Sequence, residues 1–492
     1  MNAGLTPATH GPDAAGSAAD RVQVGVPART PARSRVVALV ALACGAAWIV
    51  LLYPGFMSPD SAEQLTEVRS GVLSDWHSPI MVLLWMATER MVAGPGGMLV
   101  LNTVVLWSGL ALLARRIAAP PPLQAAFLIA LACAPPIVTL AGAIWKDVLL
   151  TALLTLAFGV AGRSLAFWPV ALLATMSRHN AIPAVTIAVL LHLAPSGPTP
   201  SALWRALAAS AVLLALAQGF NAAVVDTRTN PVQMVALSDL NGIASRTRTP
   251  AAVDACNQKT SEEPPPRAAS MDEPKVRSAL HATRLRLGFC FDEAASRTLL
   301  GEWVRMVLRQ PREYADARAL MAFRLLGFAG TPGNFVMTQS LYEGAAPSIE
   351  PPVPPTPAQL RLGAWIWALE ARHVFRPWIY GVVGIAATVV AAWRRRWWPC
   401  AVALSGIVFE LVLLLVAPSP DYRYSYWMIV SALIAATWLA AEAIARRAAR
   451  ADVTRRAFRA ALPARARPRA SDRRSRGSRA SARAPRAAPP TR

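Results

Sequence analysis

Along this chain, long apolar runs alternate with short polar breaks. A helix rises 1.5 Å per residue, so about 20 apolar residues cross a hydrocarbon core of about 30 Å. On that measure the pattern predicts transmembrane helices near 36–53, 97–114, 122–141, 147–162, 165–177, 180–194, 202–220, 376–393, 398–417 and 425–445. The pair 165–177 and 180–194 is short and reads either as two spans or as one broken helix. The apolar stretch from Pro79 to Val92 would cover only about 21 Å and carries Glu89 and Arg90, so it reads as a helix lying in the interface. The predicted fold class is an all-α polytopic membrane protein with about ten transmembrane helices, interfacial helices in the first outer loop and a mostly helical outer segment.

Basic residues orient these helices, because Arg and Lys accumulate in cytoplasmic loops. With the N-terminus inside and 79–92 not crossing, Arg115 and Arg116, Arg163, Arg205, Arg394 to Arg396 and the tail from Arg446 all face the cytoplasm. Both termini are then cytoplasmic. The chain divides into a disordered N-terminus, 1–35; a transmembrane core, 36–220, with its first outer loop at 54–96; an extracytoplasmic segment, 221–375; a C-terminal transmembrane part, 376–445; and a disordered Arg-rich tail, 446–492. The first apolar run reads as a retained anchor, since its leader is long and no clear small-x-small cleavage site follows it. Within 221–375, the Pro/Glu/Arg-rich portion 247–275 predicts disorder. The spacing of Leu299, Leu300, Trp303, Val304, Leu320, Phe323 and Leu326, broken by Pro311, predicts two amphipathic helices resting on the membrane face.

Composition agrees with this layout. A hydrophobic fraction of 54%, a charged fraction of 16% and a mean hydropathy of +0.36 exclude an ordinary soluble protein of 492 residues. A formal charge of +22 invites a nucleic-acid reading, but the tail 446–492 alone holds sixteen Arg against Asp452 and Asp472. It carries +14 of the total, which reads as attraction to anionic membrane lipid rather than to nucleic acid. Lys is nearly absent (Lys146, Lys259 and Lys275), which points to coding bias in a GC-rich bacterial genome. Five Cys exclude a disulfide scaffold; Cys256 and Cys290, both in the outer segment, are a candidate disulfide in an oxidising compartment. Cys44, Cys133 and Cys400 lie in spans and are expected to be inert.

Polar chemistry gathers in the segments that this topology leaves outside. The first loop reads Gly55-Phe56-Met57-Ser58-Pro59-Asp60-Ser61-Ala62-Glu63-Gln64, then Ser74-Asp75-Trp76-His77-Ser78-Pro79. Asp60, at the edge of a low-dielectric region, is a candidate general base with a raised pKa. The alternative is a helix cap, in which Ser58 or Asp60 caps a helix from Ser61 and Glu63 completes the box. Trp145-Lys146-Asp147 opens an apolar helix, with Lys146 the only lysine near the bilayer; an ordinary snorkelling lysine with its partner is the plainer reading. Arg178-His179-Asn180 lies at the same level. The turn Pro418 to Trp427 carries Asp421 and Arg423 among interfacial aromatics. No metal-ligand spacing, P-loop, dinucleotide motif or serine nucleophile elbow occurs, so no cofactor is required, although a divalent cation stays open.

The order S-P-D-S-x-x-Q, then D-W-H-x-P ahead of an interfacial helix, resembles the first periplasmic loop of GT-C membrane glycosyltransferases, among them protein O-mannosyltransferases and the aminoarabinose transferases of lipid A. The likeness covers the layout of residues 36–220. It implies an inner-membrane enzyme that takes a sugar from a polyprenyl-phosphate carrier and passes it to an extracytoplasmic acceptor. Asp60 stands at the position of the family's base. Many members carry two adjacent acids there, whereas Ser61 follows Asp60 here; Asp75 is then the candidate second carboxylate, with His77 beside it. Lys146, Asp147, Arg178, His179, Asn180, Asp421 and Arg423 are the candidate substrate-binding set, the cations gripping the carrier phosphate. The rival class is a transporter or lipid flippase, which would place ionisable residues at the bilayer midplane. Pro135, Pro136 and Glu410 are the exceptions to otherwise apolar mid-span positions, and no internal repeat is found.

Overall fold

The computed structural model describes residues 31–162, 164–247, 293–333, 335 and 354–461. Each predicted apolar run forms a helix: α1 Pro31–Leu52, α4 Gly96–Ala114, the pair α5 Pro121–Ala132 and α6 Pro135–Ala141, α7 Lys146–Val160, α8 Phe167–Ser177, α9 Ile182–Leu193, α10 Pro200–Val224, α15 Pro377–Trp393, α16 Trp397–Val416 and α17 Tyr426–Ala461. Two short helices fill the first loop, α2 Pro59–Ser70 and α3 Pro79–Glu89; among the described residues, α11 Gln233–Thr247, α12 Glu293–Arg309, α13 Pro311–Leu325 and α14 Pro357–Glu370 lie between α10 and α15. Among the described residues α1, α4, α10, α16 and α17 are long and apolar enough to cross a membrane, and the α5–α6 pair makes a sixth if counted as one. The other four predicted spans are shorter, with 15 residues in α7, 11 in α8, 12 in α9 and 17 in α15, so length alone supports about half of the ten crossings expected.

Three local features explain how the bundle is assembled. Pro135 and Pro136 lack the N–H groups that would continue α5, and the chain bends by 59° there. The Ala132 carbonyl near the break accepts from the Trp48 indole at 3.1 Å, and the Tyr426 hydroxyl pins the next turn at the Ile137 carbonyl, 2.7 Å away. Helices α4 and α7 pack backbone to backbone at Gly109, where an added Cβ would stand 2.6 Å from the Leu156 nitrogen; small residues permit such approaches in apolar surroundings. Finally, Phe167 at the start of α8 stacks on His192 near the end of α9, ring centroids 4.2 Å apart, so these two helices run antiparallel as a hairpin and not as one broken span.

Two groups of charged side chains stand at opposite ends of α7, the first near its C-terminal end and the second at its start. At one end Arg116 donates to the carbonyls of Gly159 and Ala161 and stacks on Trp398, while Arg396 pairs with the buried Glu442 at 3.2 Å. The other end carries the candidate chemistry. Beside it, Leu237, Leu240 and Leu299 form the small core of α11 and α12, and on α13 the buried Arg318 pairs with the buried Asp239 at 2.6 Å. Both helices predicted from 293–329 are present, with Val304, Leu308, Leu320 and Phe323 exposed.

Two boundaries move. Helix α1 starts at Pro31, inside the segment expected to be disordered, and α17 continues to Ala461, past the predicted onset of disorder at 446; Ala and Arg are strong helix formers, so charge alone does not stop the helix there. Cys44, Cys133 and Cys400 are free thiols, whereas Cys256, Cys290 and the 247–275 segment fall outside the described residues, apart from Thr247.

Candidate functional site

The site begins with a zipper between two segments distant in sequence. The Phe56 N–H donates to the Gly142 carbonyl at 2.8 Å and the Ile144 N–H returns a bond to the Phe56 carbonyl at 3.1 Å. Ser61 Oγ donates to the Ile144 carbonyl at 2.8 Å, and the Trp145 indole donates to Ser58 Oγ at 2.7 Å. Together these bonds fix the start of α2 against the start of α7, which brings Asp60 beside Lys146. Ser58 caps α2, and Ser61, not Glu63, completes the capping box because the helix begins at Pro59. Asp60 is thus the second helical residue, where the N-terminal end of the helix dipole favours a carboxylate.

The third strand of the assembly is the turn between α16 and α17. Gly333 exchanges backbone hydrogen bonds with Pro420 and Tyr422, at 3.1 and 2.9 Å, and the chain then winds through a 3-10 turn, Tyr422–Ser425. That turn presents Arg423, whose Nη1 lies 2.5 Å from Asp60 Oδ2 and whose Nε lies 3.5 Å from Asp421 Oδ2. The guanidinium is wedged between aromatic faces, its central carbon 4.8 Å from the Trp145 ring centroid and 5.3 Å from that of Tyr424. Arg178, the residue that ends α8, forms an ion pair with the buried Asp147 and lies 5.1 Å from the same Tyr424 ring. Lys146 is partly exposed and has no carboxylate within ion-pair reach among the described residues. Asp60 keeps 41% of its side chain exposed while Arg423 keeps 13%, so the carboxylate faces an opening and the cation lies behind it.

Electrostatics reverses one expectation. Burial pushes the Asp60 carboxyl up, but the charge and hydrogen bond of Arg423, with His77 and Lys146 adding to them, hold it down at about 2. The raised pKa predicted for Asp60 does not occur, because the sequence could not show a guanidinium 363 positions away arriving at its side. Lys146, just ahead of the apolar run 147–162, is lowered to about 8 by burial and by Arg178.

The predicted residues divide into those that meet and those that serve elsewhere. Asp60, Lys146, Asp147, Arg178, Asp421 and Arg423 form one cluster. Asp75 does not supply the second carboxylate: its two oxygens accept from the N–H and hydroxyl of Thr229 and from the N–H of Asn230, at 2.5, 2.7 and 3.3 Å, and hold the segment after α10. His77 is buried against α2, with Nδ1 3.2 Å from Gln64 and Nε2 3.1 Å from Glu63, so both ring nitrogens are occupied. The Nδ2 of Asn180 is buried with no hydrogen-bond partner; His179 opens the 3-10 turn His179–Ala181, and its side chain lies outside the described residues. Asp147 pairs with Arg178 and not with its neighbour Lys146. Sequence reading missed Ser58, Trp145 and Tyr424 as the parts that orient Arg423; the adjacency of Trp145 to Lys146 was the one visible signal. No group of three or more His, Cys, Asp or Glu gathers as a metal site among the described residues.

No protein-family model, characterised protein or solved structure matches this chain.

Proposed function

We propose that the protein is a membrane glycosyltransferase of GT-C type, which moves a sugar from a polyprenyl-phosphate carrier to an extracytoplasmic glycan, lipid or protein acceptor. The observation that carries this reading is the meeting of Asp60 with Lys146, Arg178 and Arg423 at one end of an apolar helix bundle. In the proposed reaction Asp60 accepts the proton of an acceptor hydroxyl, the acceptor oxygen bonds to the anomeric carbon with inversion, and the sugar–phosphate bond breaks. Its electron pair leaves on the phosphate oxygen, where Lys146 and Arg423 balance the growing charge. Arg178, already neutralised by Asp147, orders Tyr424 and hence the face on which Arg423 rests.

The reading places the cluster on the outer side of a bacterial inner membrane, with both termini cytoplasmic. Supporting this, the basic loops at Arg116 and Arg396 gather at the end of the bundle away from Asp60, as Arg accumulation inside requires. The α8–α9 hairpin starts and ends on one side, so its short helices, whether crossing fully or dipping in and out, leave the orientation of later helices unchanged.

A transporter is the second reading, since α5 and α6 form a broken span and Glu410 is buried within α16. Hydrogen bonds from Trp48 and Tyr426 fasten that break, and Glu410 accepts from Ser425 at 2.8 Å, which favours structural roles for both. Purified protein in detergent, assayed against a panel of labelled polyprenyl-phosphate sugars, tests the proposal: label passed to an acceptor supports it, and no donor consumed across the panel removes it.

A further inference from the structure

The proposed chemistry leaves a conflict inside the site. Asp60 is to accept a proton, and the Arg423 that is to hold the donor phosphate is already bonded to it at 2.5 Å. A carboxylate so tightly paired is a weak base. The other cations show which of them an incoming anion can use. Arg178 is neutralised by the buried Asp147, whereas Lys146 has no paired carboxylate among the described residues. Arg423 packs against the rings of Trp145 and Tyr424, which favour its present position. Its partner Asp60 is the more exposed of the two, 41% against 13%, so an anion coming from solvent meets the carboxylate before the guanidinium.

Resting on the proposed reading of this site, we infer that a phosphate group and the Asp60 carboxylate compete for Arg423, so that donor binding itself releases Asp60 to act as base. Phosphate oxygens take over the guanidinium fork and the Lys146 ammonium; Asp60, deprived of its main cation and set beside a new anion, gains proton affinity. A free Asp60 thereby appears only when the sugar donor is in place, which guards the site against idle chemistry on water.

Binding tests this without any sugar transfer, and so separates it from failure of the glycosyltransferase reading. The full chain in detergent is titrated calorimetrically with farnesyl monophosphate, with inorganic phosphate to ask whether the lipid tail matters, and with phosphatidylglycerol as a control for general anionic lipid. Competition predicts that Asp60→Asn binds farnesyl monophosphate about 5- to 150-fold more tightly than wild type, the usual range for coupled equilibria. Asp421→Asn removes the same charge from a carboxylate 3.5 Å from Arg423 and should gain much less. In Asp60→Asn/Arg423→Gln the gain should vanish. Asp60→Ser serves if the Asn variant is poorly folded. Unchanged or weaker binding on loss of Asp60, or equal gains from both single carboxylate variants, overturns the inference.

Discussion

The guanidinium of Arg318 donates a 2.7 Å hydrogen bond to the carbonyl of Ala417, the residue that ends α16 six positions before Arg423. Because Arg318 also pairs with Asp239, and the Trp303 indole donates to that carboxylate at 2.9 Å, helices α11 to α13 grip the turn that carries the site's central cation. Burial pushes the Asp239 carboxyl above its usual range, and Arg318 and Trp303 only partly offset this. Arg318→Met leaves Asp239 buried without its cation and should destabilise the protein by about 3–5 kcal/mol in denaturant unfolding. Arg318→Met/Asp239→Leu should recover much of that loss. A single-variant effect under about 1 kcal/mol would show that the pair is not what fastens this segment.

The Trp145–Ser58 bond closes the zipper between the first loop and α7. Trp145→Phe and Ser58→Ala each remove it, so a double-mutant cycle should return a coupling of about 1 kcal/mol, the net worth of one hydrogen bond. Each single change should also weaken phosphate binding by loosening Arg423's stacking surface. Additive effects would place the two residues in separate roles.

The all-helical class and most helices were legible because apolar run length is a local signal, whereas the expected ten crossings find support from length in only about half of them. The membership of the candidate site was half legible: Asp60, Lys146, Arg178 and Arg423 stand out as charges at the edges of apolar runs. What joins them is not local. Gly142 and Ile144 meet Phe56 through backbone bonds, and the Trp145 indole meets the Ser58 hydroxyl, across more than eighty positions; Gly333 reaches Pro420 through the backbone as well. Such pairings leave no periodicity to read, which is why the low pKa of Asp60 and the diversion of Asp75 to Thr229 escaped prediction. The proline pair 135–136 was visible as an anomaly, but not as the bend that turns residues 142–145 toward α2.

Lys146 carries a pH signature. Its ammonium titrates at about 8 in the folded chain, below the 10.5 usual for lysine, because burial and Arg178 oppose the charge. The folded state therefore gives up this proton before the unfolded state does. Its charge costs stability below pH 8, and that cost is relieved as pH rises from about 8 toward 10.5, so this group makes the fold more stable across that window. Phosphate affinity should move oppositely, falling about tenfold between pH 7 and pH 9.5 as one charge-assisted bond is lost. Lys146→Gln should flatten both profiles. An affinity that holds to pH 10 in wild type would take Lys146 out of the phosphate site.

Sidedness is open to chemical labelling. In a variant without native cysteines, Ser70→Cys, at the exposed end of α2, should react with a membrane-impermeant maleimide added to intact cells, while Arg395→Cys, in the exposed turn after α15, should react only after permeabilisation. The reverse pattern would put the cluster on the cytoplasmic face, where a lipid-carried donor facing outward has no access.

The most direct measurement is sugar transfer from a labelled polyprenyl-monophosphate donor by purified wild type and Asp60→Asn, each first shown to insert in the membrane and to melt as a folded protein. Wild type should transfer the sugar, and Asp60→Asn should lose transfer by a factor of about 100 or more even though it binds the donor phosphate more tightly. Equal transfer rates in the two proteins would contradict this.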